Sequence, residues 1–63
     1  MGLSSYEKEQ IIYELDLLEE GTRRIVLASL TAFGEWLANV LYQIYLKIKE
    51  GLGKFWQWLR SQF

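Results

Sequence analysis

The stretch Ile25-Val26-Leu27-Ala28-Ser29-Leu30-Thr31-Ala32-Phe33-Gly34-Glu35-Trp36-Leu37-Ala38-Asn39-Val40-Leu41-Tyr42-Gln43-Ile44-Tyr45-Leu46 decides how this chain is read. Its 22 residues carry one charge, Glu35, near the middle. Arg23 and Arg24 precede it, and Lys47 and Lys49 follow. A helix needs about 20 apolar residues, at 1.5 Å each, to cross a bilayer. The length is therefore that of a membrane span, and Glu35 is its principal cost. At 100° per residue, Val26, Leu27, Leu30, Phe33, Leu37, Val40, Leu41, Ile44 and Ile48 fall on one broad apolar face. The opposite face holds Ala28, Thr31, Ala32, Glu35, Ala38, Asn39, Tyr42 and Gln43. It is lean and nearly uncharged, where a water-facing helix is normally rich in Lys and Glu.

Insertion scales value the ten Leu, Ile, Val and Phe residues of this stretch at roughly −3 to −6 kcal/mol in total. A central Glu35 costs on the order of 3 kcal/mol, and Asn39, Gln43, Thr31 and Ser29 add to that. A lone span comes out near zero or unfavourable. An oligomer that turns Glu35, Asn39 and Gln43 inward removes most of the penalty. The small residues Ala28 and Ala32, followed by Glu35 and Asn39, leave room for a second helix to approach closely. On this reading Ala28, Thr31, Ala32, Glu35, Asn39 and Gln43 form an oligomer seam or line a polar path. Glu35 would then form a ring of carboxylates that attracts cations. The plainer reading puts Glu35 at the surface or beside a neighbouring Lys or Arg.

Outward from this stretch, glycines mark the ends. The chain has no Pro, and Gly21, Gly51 and Gly53 interrupt the helical patterns. Ser4 followed by Glu7 has the form of a capping box. The fold expected is all-α, with helix 1 over about 4–20, helix 2 over about 22–50 and helix 3 over about 53–62, all in one domain spanning 1–63. Gly21 suits the C′ position of helix 1, and Thr22 can cap helix 2. A central helix of this length outruns both neighbours, so covering its apolar face calls for a second subunit and a helical homo-oligomer.

Helix 1 carries two stripes. Ile11, Ile12, Leu15 and Leu18 form a core face. Tyr6, Tyr13 and Leu17 lie on the other side at near-heptad spacing, a narrower stripe suited to contact between subunits. Helix 3 is short and aromatic. Trp56 and Trp58, with Lys54 and Arg60, suit a membrane–water interface. The same helix could equally fold back as a lid, placing Leu52, Phe55, Trp56, Leu59 and Phe63 on the apolar face of helix 2.

Charge is polarised along the chain. Residues 1–20 carry six carboxylates against Lys8, and residues 21–63 carry six cations against Glu35 and Glu50. The basic residues are dispersed, which argues against nucleic acid as a partner. Without Cys or His, disulfides, thiolate metal sites and the commonest general base are excluded. Gly51-Leu52-Gly53-Lys54 lacks the rest of a phosphate-binding loop and follows a helix where a strand is required. No enzyme activity, cofactor, metal or small-molecule substrate is expected. The first hydrophobic run follows an acidic segment, so no secretory signal is read. Gly2 follows Met1, but Tyr6 stands where N-myristoylation requires Ser or Thr. The lack of Pro, Cys and His is also what an idealised helical sequence shows, natural or designed.

The leading expectation is a non-catalytic, self-associating helical protein at or in a lipid bilayer, membrane-associated, with a polar path along helix 2. Its rivals are a soluble, cytoplasmic homo-oligomeric bundle with a structural role and a helical module that binds a partner.

Overall fold

Ser4 opens the first helix as its sequence requires. The Glu7 backbone N–H donates to Ser4 Oγ at 3.2 Å, and the Ser4 backbone N–H donates to Glu7 Oε1 at 3.1 Å. This reciprocal box satisfies two donors that the first turn would leave orphaned. In the computed structural model, which describes residues 3–63, the helix that follows is α1, Ser5–Asp16. Gly2, at which N-myristoylation is discounted, lies outside the described residues. The chain continues through α2 (Glu20–Leu27), α3 (Leu30–Val40) and α4 (Tyr42–Ile48). A 3₁₀ turn at Lys49–Gly51 then leads into α5 (Leu52–Gln62). The described residues are helical or turn throughout, with no strand.

Three helices were expected, and five α-helices are present among the described residues. The long central helix is broken twice, at Ala28–Ser29 and at Leu41. At the first break Ser29 is extended and caps α3, accepting the Ala32 N–H at 3.1 Å. The break orphans carbonyls at the end of α2. One of them, Leu27 C=O, accepts the indole Nε1–H of Trp56 at 3.1 Å. At the second break a single residue leaves the helix. Leu41 sits at φ −135°, ψ 66°, while its N–H still reaches Leu37 C=O at 2.8 Å. Just before it, Asn39 Nδ2 donates to Glu35 C=O at 2.8 Å. Such bonding back to the preceding turn competes with the backbone ladder and bends helices.

Burial accounts for the breaks. Each interrupted helical hydrogen bond costs about 0.5–1.5 kcal/mol net. Burying one large apolar side chain contributes about 1.5–3 kcal/mol. A straight rod would leave its broad apolar face to water. Folded into three pieces, it buries Val26, Leu27, Phe33, Leu37, Ile44 and Ile48 within one chain, against Ile11 and Leu15 of α1 and Leu52 and Leu59 of α5. No second subunit is needed to cover that face, and the expectation of a homo-oligomer falls with the rod that required it. The radius of gyration, 10.5 Å, is what the scaling law gives for a compact chain of this length, about 10.6 Å.

The membrane reading falls for the same reason. Among the described residues no helix is long and apolar enough to cross a membrane. The longest, α1, has 12 residues and spans about 18 Å against a hydrocarbon core of about 30 Å.

The turn between α1 and α2 also differs from expectation. Helix 1 ends at Asp16, and Gly21 lies inside α2 at negative φ rather than capping helix 1. Glu19 is extended and Glu20 begins the next helix. Both carboxylates then sit at a helix N-terminus, where the dipole favours them. Glu20 also accepts from Arg24 Nη2 at 3.0 Å. Residues 49–51 do end the central stretch, but Leu52 and Gly53 belong to α5.

Candidate functional site

The residues read as seam or polar path do not enclose anything. Ala28 lies at the first break, and Thr31, Glu35 and Asn39 are exposed on the outer side of α3. Ala32 is half-buried. Asn39 spends its amide on its own helix. Gln43 is on α4 and lines a separate groove with Tyr6, Gln10, Val40 and Tyr42. No path runs along this face, because α3 and α4 no longer share one axis.

The interfacial group on α5 is used inside the fold. Trp56 is half-buried and ties α5 to the end of α2 through Leu27 C=O. The Arg60 guanidinium lies over the Trp56 ring at 4.9 Å. Trp58 stacks on Phe55 at 5.5 Å, and Lys8 of α1 lies over it at 5.5 Å. Lys54 is exposed. Helix α5 is the lid of the alternative reading, packed on the split remains of helix 2.

Three arginines line a cleft of about 330 Å³ between α2 and the end of α5, with Glu20 and Phe63. Each is engaged: Arg24 with Glu20, Arg23 over the Phe63 ring at 5.0 Å, Arg60 over Trp56. The Arg23 and Arg60 cations serve as packing surface over those rings, each contact contributing about 0.5–1 kcal/mol at exposed sites. Among the described residues no three acidic, His or Cys side chains come together as a metal site.

Other helices also expose large apolar side chains, Ile25 among them, but the outer side of α1 exposes three in line. Its inner side places Ile11 and Leu15 in the core, both fully buried. On the outer side Tyr6, Tyr13 and Leu17 are 71%, 58% and 63% exposed. Seven and then four residues apart, they lie within about 20° of one line along the helix. Carboxylates flank that line, with Glu9 and Asp16 to one side and Glu7 and Glu14 to the other. At its Tyr6 end the stripe opens into the groove of about 620 Å³ that Val40 and Tyr42, both exposed, help to line.

Glu7 anchors this helix. Besides the capping box, its carboxylate accepts from Lys47 Nζ of α4, 40 residues on in sequence. The Lys47 ammonium, and next the Ser4 backbone N–H, hold the Glu7 carboxyl below the usual carboxylate range. A carboxyl with a lowered folded pKa contributes stability above its unfolded pKa and loses it as pH falls through the folded one. Stability should therefore decline on acidification through and below the ordinary carboxylate range. Glu7→Gln keeps a capping side chain but removes the titration. Denaturant melts across acidic pH should show a shallower slope for this variant. Equal slopes would remove the Glu7–Lys47 pair from the acid response.

The far end of α1 is built against the helix dipole. Glu14 and Asp16 lie in its last turn, with no basic residue there. Carboxylates at a helix C-terminus are each unfavourable by about 0.3–1 kcal/mol.

No family model, curated protein or solved structure matches the chain. The geometry alone carries the functional argument.

Proposed function

We propose that this chain is a non-catalytic helical module that docks another macromolecule on the outer face of α1. The observation that carries this reading is the line Tyr6, Tyr13 and Leu17. Three large apolar side chains stand in water on a helix whose other face already supplies the core. Scattered exposed apolar residues are ordinary, but aligned ones on a single helix face mark interaction surfaces. Packing of α2 to α5 leaves this line untouched. Four helices and a shared core hold it in place.

If the line serves docking and not folding, replacing it should not unfold the chain. In the triple variant Tyr6→Gln, Tyr13→Gln, Leu17→Gln, each change should stay within about 0.5 kcal/mol, the range of surface substitutions. Gln is also a good helix former. Together they should cost no more than about 1.5 kcal/mol, which keeps the Tm within about 12 °C of the parent. A loss comparable to a core deletion, above about 3 kcal/mol, would make the stripe part of the fold and overturn the reading.

A further inference from the structure

Resting on that reading, we infer that the occupant of the α1 face is a basic amphipathic helix of another protein, with apolar residues along its seam and Lys or Arg beside them. The register of α1 points to this. Written as heptads, Tyr6 and Tyr13 take the d positions, and Gln10 and Leu17 the a positions. Glu7 and Glu14 are then at e, and Glu9 and Asp16 at g. Every position that flanks the seam over two heptads is a carboxylate. Flanking charges at e and g choose the partner and its orientation in paired helices. Glu7 is already paired with Lys47; the other three, Glu9, Glu14 and Asp16, repel a second copy of the same helix and complement a basic one.

The structure leaves this face in the state such a partner needs. Tyr6, Tyr13 and Leu17 are exposed, and so are Glu9 and Asp16. Lys47 meets only the Glu7 corner, and Lys8, the one cation of α1, turns over the Trp58 ring. Glu14 and Asp16 sit at the dipole's negative end, so a cation laid beside them relieves two unfavourable charges at once. The mixed seam, two Tyr, one Gln and one Leu, is less apolar than a core. It accordingly fits a reversible contact whose specificity comes from its charged flanks.

The test uses the whole chain and three labelled synthetic helices of equal length with the same Leu and Ile seam. Their flanking positions are all Lys, all Gln or all Glu. Fluorescence anisotropy should show the Lys helix binding about tenfold tighter than the Gln helix at low salt, and the Glu helix not at all. The preference should vanish near 1 M salt, where the screening length is about 3 Å. In the chain variant Glu9→Gln, Glu14→Gln, Asp16→Asn, checked to melt no lower than the parent because two charges unfavourable to the helix dipole are gone, the Lys and Gln helices should bind alike. Equal binding of the Lys and Gln helices to the unmodified chain, lost in the Tyr6, Tyr13, Leu17 triple variant, would overturn the basic partner and leave the docking face standing. Binding of the Lys helix that survives both variants would place it elsewhere and overturn the inference. So would absence of binding by any helix, or a sedimentation mass twice that of the chain alone.

Discussion

Phe33→Ala should remove about 3–5 kcal/mol of stability. A domain of this length has only about 3–9 kcal/mol in all, at 0.05–0.15 kcal/mol per residue. The variant should therefore melt at least about 12 °C below the parent, and much of it should be unfolded at room temperature. Phe33 is fully buried. Its ring stacks on Trp36 at 6.0 Å and meets Phe55 of α5, tilted, at 6.4 Å. It therefore joins the middle segment of the broken stretch to the last helix. Phe33→Leu, which keeps most of the volume, should cost about 1.5 kcal/mol or less. Urea melts followed by the fluorescence of the three tryptophans, Trp36 among them, and by far-ultraviolet circular dichroism should coincide. A loss below about 1 kcal/mol in Phe33→Ala would show that the core is centred elsewhere.

Phe33 also shows how much of the fold is legible in the sequence. Its periodicity with Val26, Leu27, Leu37, Ile44 and Ile48 marks side chains that become core, but it also marks Leu30 and Val40, which stay exposed. The same periodicity is silent on whether they lie along one axis. A phase that persists through 22 residues reads as one rod, yet Ser29 and Leu41 divide it with only slight loss of phase. Ser29 had a visible signal, as a good N-cap residue three before an unpaired N–H. Leu41 had almost none beyond Asn39, whose side chain turns back on its own helix. That break is set by what the rest of the chain must bury. The error at the second break carried the error about function. A rod of membrane length called for lipid or a second subunit, and three short helices call for neither.

The candidate face was legible in a different way. Tyr6, Tyr13 and Leu17 stand out by spacing, and their exposure agrees with it. The meaning of the flanking carboxylates was obscured because acidic residues on a helix ordinarily mark the side that faces water. The spacing already puts Ile11 and Leu15 on the opposite side; with Tyr6, Tyr13 and Leu17 left exposed, those charges become the edges of an open seam. Trp56 and Trp58 were misleading in the opposite sense. Aromatic rings beside cations read as an interface with lipid, whereas here the cations of the chain itself lie over the rings.

Gly34→Val should cost about 1–3 kcal/mol, through crowding where α3 crosses α5. A Cβ placed on Gly34 would lie 3.2 Å from Leu52 Cδ2, closer than ordinary van der Waals contact. Gly53 of α5 faces Leu30 of α3, where an added Cβ would meet Leu30 Cδ2 at 3.7 Å. The crossing thus sets a glycine of each helix against a leucine of the other. Gly34→Ala separates the two effects of the missing side chain. Its gain in helix propensity, about 1 kcal/mol, opposes a contact that requires Leu52 to give by a few tenths of an ångström. The variant should come out within about 1 kcal/mol of the parent. Valine adds two methyl groups that no such shift accommodates. Leu52→Ala alone should cost about 2–5 kcal/mol. In Gly34→Val it should cost less, with a coupling of about 0.5–3 kcal/mol, because one change makes the room that the other fills. Additive losses in urea melts would mean that Gly34 and Leu52 do not meet, and α5 would then have to close the core at some other point along α3.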